Sequence, residues 1–128
     1  MRIILDASAL IAVLLGEKGA EAVEAALDAA LVSTVNVAEV VSALARDGNP
    51  EEDLRTIVAG LKLAAIPPDE AASVDAGLLR RITDAAGLSL GDRFCLALAR
   101  RLKAPVLTAD RAWTRISEEA GVEVRMIR

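Results

Sequence analysis

The chain alternates short apolar runs with longer segments of helical periodicity, and this alternation constrains its fold more than any other feature. The runs that favour strands lie at 2–5, 31–35, 62–66, 105–108 and 122–127. Most of them are too apolar for a sheet with one solvated face, which indicates strands buried on both sides. We therefore predict one α/β domain over 1–128, with three layers, α/β/α, and a central parallel sheet of four to five strands.

Helical spacing of apolar residues, together with residues typical of helix ends, predicts seven helices between these runs. They cover 8–15, 20–27, the segment from a cap at Asn36 to Asp47, the segment opened by Pro50, 69–86, 92–102 and 112–120. Pro67 and Pro68 stop the run 62–66, so we expect that strand to lie at an edge of the sheet.

The residue types that the chain lacks exclude several classes of chemistry. With no His and one Cys, it cannot use imidazole catalysis, an imidazole or multi-thiolate zinc site, or an intrachain disulfide. One Trp, one Phe and no Tyr are too few to stack the bases of single-stranded nucleic acid. Nineteen acidic and fifteen basic residues give a net charge of −4, which alone disfavours binding to a phosphate backbone. Carboxylates, hydroxyls, amides and basic groups remain for the chemistry.

No segment predicts a membrane span. The longest uncharged run near the start, 7–16, has ten residues, whereas a bilayer requires about 20. Asp6 interrupts the apolar opening, which is unlike a signal peptide. We therefore expect a cytoplasmic protein without membrane attachment.

Acidic residues lie where the predicted strands end. Asp6 closes the first strand, Glu39 lies one turn into the helix after the second, and Asp110 follows the fourth. Asp92 opens the helix before the fourth strand, which brings it to the same end of the sheet if that helix runs antiparallel to the strands. In parallel α/β sheets, ligands bind beyond the carboxyl ends of the strands.

Each of these acids also has an ordinary structural explanation as a helix cap. Asp6 and Asp110 precede helices, and the segments 36–39 and 89–92 both have the spacing of a capping box. Three or four carboxylates gathered at one place repel one another, however, and require a compensating cation. Without His or Cys ligands, that cation is Mg²⁺ or Mn²⁺, and the corresponding substrate is a phosphate ester.

Other phosphate chemistries fit these residues less well. The chain has no phosphate-binding Gly-rich loop of the nucleotide-binding types. A phosphatase with Asp6 as nucleophile is conceivable, but a second Asp is usual where Ser8 stands. A phosphoacceptor receiver domain expects a Lys just after a late strand, whereas Lys103 precedes the fourth strand.

Four blocks of this sequence resemble the PIN domain, and most closely its VapC-type toxins from toxin–antitoxin pairs. The blocks are Leu5-Asp6-Ala7-Ser8-Ala9-Leu10, Asn36-Val37-Ala38-Glu39-Val40, Leu90-Gly91-Asp92-Arg93 and Leu107-Thr108-Ala109-Asp110-Arg111. They occur in order at suitable spacings and cover essentially the whole chain. No single block is specific, but the four together are.

The resemblance implies an endoribonuclease that depends on Mg²⁺ or Mn²⁺, with a PIN-like fold of flavodoxin-like topology. It assigns Asp6, Glu39, Asp92 and Asp110 to the catalytic metal site and Ser8 and Thr108 to its support. It further implies an RNA substrate, a homodimer and inhibition by a cognate antitoxin. A housekeeping RNA-processing nuclease and a non-enzymatic binding module of the same fold remain alternatives.

The basic residues have two interpretations each. Arg93 and Arg111 directly follow two of the site acids, and we favour surface ion pairs over contacts to a substrate phosphate. Residues 80–128 carry ten bases and six acids, which we interpret as solvated helix faces in preference to an RNA-binding track. Cys95 and Trp113 are predicted core residues.

Overall fold

The computed structural model describes all residues from Met1 to Arg128 and contains one parallel sheet of five strands. The strands are β1 (Ile3–Leu5), β2 (Ala30–Ser33), β3 (Ala64–Ile66), β4 (Val106–Thr108) and β5 (Val124–Met126). Every neighbouring pair is parallel, with Ile4 beside Val106 and Leu5 beside Leu107 in the central pair. The predicted α/β class and the parallel sheet are confirmed.

Eight α-helices connect and cover the strands. They are α1 (Ala7–Leu15), α2 (Ala20–Ala26), α3 (Thr34–Arg46), α4 (Glu51–Leu61), α5 (Glu70–Leu78), α6 (Arg80–Thr83), α7 (Leu90–Leu102) and α8 (Ser117–Ala120). Short 3₁₀ helices lie at Leu27–Ala29, Asp84–Ala86 and Arg111–Arg115. None of the helices has the length and apolar character that crossing a bilayer requires.

Alternate residues of the central strands point into two separate cores, which gives the predicted three layers. Ile4 and Val106 belong to a core with residues of α5, α7 and α8. Their neighbours Leu5 and Leu107 belong to a core with residues of α1, α2, α3 and α4. Since successive side chains of a strand point to opposite faces, the two cores lie on opposite sides of the sheet.

The strand order is β3-β2-β1-β4-β5, so the chain first builds one side of the sheet and then returns to place β4 beside β1. The order changes direction between β1 and β4, where ligands bind in folds of this type. The flavodoxin order, 2-1-3-4-5, differs because it places the third strand inside the sheet. Here β3 is solvent-exposed and lies at the edge, as its flanking Pro67 and Pro68 predict.

Two predicted helices are divided in the structure. The segment 69–86 forms α5, α6 and a 3₁₀ turn that meet at Leu79 and Thr83, which are both buried. The segment 112–120 forms a 3₁₀ helix followed by α8. Trp113 is completely buried in this segment, and Cys95 is buried in α7, as predicted for core residues.

Candidate functional site

Asp6 lies at the end of β1 and is almost completely buried, with 2% of its surface exposed. Its Oδ1 accepts hydrogen bonds from the Ser8 hydroxyl at 2.7 Å and from the Ala9 backbone N–H at 2.9 Å. Its Oδ2 accepts the hydroxyl of Thr108. Burial raises the pKa of Asp6 to about 6 although these hydrogen bonds oppose the shift, and repulsion from Asp92 raises it further. Asp6 caps α1 as predicted, but at a high electrostatic cost.

The hydroxyls of Ser8 and Thr108 fix the Asp6 carboxylate and connect β1 to β4. Ser8 Oγ donates its proton to Asp6 and accepts the N–H of Ala109 at 2.8 Å. Thr108 Oγ1 donates its proton to Asp6 and accepts the N–H of Asp110 at 3.0 Å. Each hydroxyl has one proton to give, so both are directed at the carboxylate.

Glu39 is held against the first turn of α7 by Asn36 and Gly91. The Asn36 Nδ2 donates to Glu39 Oε1 at 2.7 Å and to the carbonyl of Gly91 at 3.0 Å. A Cβ at Gly91 would lie 2.2 Å from the carboxylate carbon of Glu39, so the missing side chain provides the space for this carboxylate. Burial is the main cause that raises the pKa of Glu39; the Asn36 hydrogen bond opposes it, and the charge of Asp92 adds to it.

The predictions that Asn36 caps α3 and that 36–39 forms a capping box are wrong. Ser33 is the cap, since its Oγ accepts the N–H of Val35 at 3.2 Å, and Asn36 is fully buried inside the helix. The spacing of residues does not identify Asn36 or Gly91 as part of the site. The one signal is a glycine within a helix, which costs about 1 kcal/mol relative to alanine and indicates a close approach.

Asp92 lies in the first turn of α7 and forms the predicted capping box with Ser89. The N–H of Ser89 donates to Asp92 Oδ2 at 2.8 Å, and the N–H of Asp92 donates to Ser89 Oγ at 3.2 Å. The helix begins at Leu90, two residues earlier than expected.

The carboxylates are coupled electrostatically, with Asp92 at the centre. The charge of Asp92 raises the pKa of both Asp6 and Glu39. The pKa of Asp92 itself is raised mainly by burial and further by Asp110. The buried thiol of Cys95 also has a raised pKa, first from burial and then from the charges of Asp6, Asp92 and Glu39. Asp6, Glu39 and Asp110 are therefore each close enough to Asp92 for their charges to interact.

Asp110 is exposed at the end of the segment that follows β4. Its Oδ1 accepts the N–H of Ala112 at 2.9 Å, so it caps the 3₁₀ helix. The surface ion pairs predicted for Arg93 and Arg111 are wrong, because none of the five ion pairs includes either residue. Arg93 is buried instead, with 9% of its surface exposed.

The donor set fits a hard divalent cation that keeps part of its water shell. No three Asp, Glu, His or Cys side chains lie together in a group that could hold a metal ion by itself. Mg²⁺ in proteins is often held by one or two carboxylates and several waters, without a dedicated protein cage. Three of the four carboxylates each keep one oxygen that accepts no hydrogen bond from the protein, namely Glu39 Oε2, Asp92 Oδ1 and Asp110 Oδ2.

The largest groove of the molecule lies elsewhere, between α3 and α4. It is lined mainly by apolar residues, including Val41, Leu54 and Val58. It contains no cluster of carboxylates or nucleophiles. The carboxylate region remains the candidate site because its chemistry, and not its depth, distinguishes it.

Comparison with known proteins agrees with this fold. A sequence model of the PIN domain matches residues 3–119. DNA-bound VapBC from Salmonella typhimurium has 16% identity and a TM-score of 0.77, covering 100% of this chain and 99% of that chain. VapBC2 from Rickettsia felis, bound to a promoter DNA fragment, has 16% identity, 98% coverage of both chains and a TM-score of 0.74. FitAcB from Neisseria gonorrhoeae has 25% identity, 95% coverage of both and a TM-score of 0.62. No curated protein is significantly similar in sequence.

In the metal-free protein, Asp6 should lower stability as the pH rises. The ordinary pKa of an Asp side chain, 3.8, applies to the unfolded chain, and the pKa of Asp6 is about 6 in the folded protein. The stability gained by protonating Asp6 on folding is therefore fully present below pH 3.8 and is lost as the pH rises past about 6. We expect Asp6→Asn to gain stability relative to wild type between pH 4 and pH 7, by on the order of 3 kcal/mol. Urea unfolding in EDTA measures this difference, and a difference independent of pH would contradict the account.

Proposed function

This chain belongs to the PIN domain family, and on that premise we propose that it is a metal-dependent endoribonuclease, the toxin of a toxin–antitoxin pair. The observation that carries the proposal is the set of coupled carboxylates at the switch point between β1 and β4. A fold that gathers acids in this way gains most from binding a cation. The VapBC complexes with similar folds support the toxin assignment and a protein antitoxin as partner.

Asp6, Glu39, Asp92 and Asp110 would hold Mg²⁺ or Mn²⁺. A divalent ion bound there supplies activation of water and neutralises charge on a phosphodiester. The protein's own part is to hold the ligands in place. Hydroxyl protons from Ser8 and Thr108 orient Asp6, and an amide orients Glu39.

The proposed reaction is hydrolysis of an RNA phosphodiester. Water attacks the phosphorus and the bond to the 3′ oxygen breaks, which leaves a 5′-phosphate and a 3′-hydroxyl. With one Trp and one Phe in the chain, and Trp113 fully buried, the bases cannot be held by a stacking platform. Substrate contact therefore depends on the metal, on basic groups and on the backbone.

Family likeness also supports a homodimer whose acidic site the antitoxin covers. A housekeeping RNA-processing nuclease of the same fold is the second candidate, because it requires the same four acids. A small reading frame beside the gene, whose product prevents growth arrest by this chain, distinguishes the toxin from the housekeeping enzyme.

Induced expression of the wild type should arrest growth and produce specific RNA cleavage products. Asp6→Asn keeps the shape of the side chain but removes the charge that the cation requires, so we expect cleavage to fall at least a thousandfold and growth to continue. Purified wild-type protein should lose cleavage in EDTA and regain it with Mg²⁺ or Mn²⁺. Mapping of RNA ends provides the measurement.

Cleavage by wild type that is unaffected by EDTA would contradict the metal-dependent mechanism. Unfolding of Asp6→Asn, together with no effect of metal on wild-type stability, would instead favour a purely structural capping role for Asp6. Thermal unfolding of both proteins, with and without Mg²⁺, separates these results.

Gly91→Ala should weaken metal binding, because its Cβ takes the space of the Glu39 carboxylate. We expect the affinity for Mg²⁺, measured by calorimetry, to fall about ten- to a hundredfold, as for other losses of groups that orient metal ligands. Gly77→Ala is the matched control: it also lies in a helix, but its Cβ meets nothing within 4 Å. The control should retain affinity and gain about 1 kcal/mol of stability. Equal affinities for the two variants would refute this role of Gly91.

A further inference from the structure

Arg93 is the one buried arginine of the twelve in this chain. Its exposed fraction is 9%, whereas the other eleven are exposed. The arginines that donate side-chain hydrogen bonds are Arg55, Arg101, Arg125 and Arg128. Arg93 has no such bond and no ion pair, and its Nε is enclosed without an acceptor. Burying a cation without a partner is costly, and an anion bound at the accessible end of the guanidinium would offset part of that cost.

The end of the Arg93 guanidinium is accessible although its stem is enclosed. Among its three nitrogens, Nε alone is fully buried without a partner, so the two terminal amino groups retain contact with solvent. These groups form a planar fork that matches two oxygens of a phosphate or carboxylate. A guanidinium held by its stem with a free outer fork is preorganised to bind an oxyanion, since little rotamer entropy remains to be lost.

The position of Arg93 places this fork near the acidic residues. It follows Asp92 in α7, and helical side chains lean towards the N-terminus of their helix, which here is the end that carries Asp92. The charge of Arg93 lowers the pKa of Asp92, so the two groups interact electrostatically.

Arg111 differs from Arg93 although it also follows a site acid. It is exposed and lacks an ion pair, so its unpaired charge is solvated and needs no ligand. An exposed arginine must lose side-chain freedom to bind a phosphate. The two residues, equivalent in the sequence pattern, are distinguished by burial.

We infer that Arg93 binds a phosphate group of the RNA beside the carboxylate site, whereas Arg111 does not fix the substrate. This inference rests on the nuclease function proposed above, since a phosphodiester is then the oxyanion that approaches the site. The metal and Arg93 would together offset the repulsion between acidic side chains and an anionic substrate. Arg93 is thus a substrate-binding residue and not a metal ligand.

The test uses the buried Nε–H of Arg93 as a probe in the full-length protein. Because it is enclosed, its proton should exchange slowly and give a resolved ¹H–¹⁵N signal, which Arg93→Lys identifies by its absence. Titration with the 5′-phosphorylated dinucleotide pUpU in Mg²⁺ should shift this signal saturably. Arg93→Gln should weaken pUpU binding about ten- to a hundredfold, and Arg111→Gln should change it less than about threefold. Arg93→Lys keeps the positive charge but lacks the planar fork, so its affinity for pUpU should lie between those of Arg93→Gln and Arg111→Gln.

An Arg93 signal that does not move while pUpU saturates the protein would overturn the inference, and so would equal losses in Arg93→Gln and Arg111→Gln. The wild-type titration decides the matter even if Arg93→Gln does not fold. RNA cleavage that depends on Mg²⁺ tests the proposed function separately. If cleavage is observed but the Arg93 signal does not move, only the role of Arg93 is refuted. If no cleavage is observed but the signal shifts, the nuclease function is refuted and Arg93 remains a phosphate-binding residue.

Discussion

Repulsion between carboxylates gathered at one end of a parallel sheet is the constraint on which this structure depends. Asp92 acts on Asp6 and on Glu39, and Asp110 acts on Asp92. Each acid is restrained by a local donor: hydroxyls on Asp6, an amide on Glu39 and backbone N–H groups on the other two. These hydrogen bonds hold the charges together but do not neutralise them, so the proposed cation would complete the arrangement.

The topology provides the place for this arrangement. The strand order changes direction between the paired strands β1 and β4, and the hydroxyls of Ser8 and Thr108 meet beyond their ends on the Asp6 carboxylate. The net charge of −4 equals the charge of the candidate site. The four site acids carry −4, and the remaining 15 acidic and 15 basic residues balance. A divalent cation would therefore offset half of this charge, and two would offset all of it, at the place where RNA would dock.

The sequence predicts the features that depend on local pattern, and it fails where distant contacts decide. The apolar runs predict the parallel sheet, and the spacing at 89–92 predicts its capping box. Asn is a residue type that often caps helices, but the side-chain amide of Asn36 donates a hydrogen bond to the carbonyl of Gly91, which is 55 residues away. No local sequence pattern predicts that contact. The same holds for Arg93, whose burial depends on how α7 packs.

The central claim is that these carboxylates are brought together to share a cation, and titration of the Asp6 carboxyl by ¹³C NMR tests it most directly. In EDTA, Asp6 should titrate with a pKa of about 6. With saturating Mg²⁺, the added positive charge favours the ionised form, so the midpoint should move well below that value. An Asp6 midpoint that is the same in EDTA and in Mg²⁺ would contradict the account.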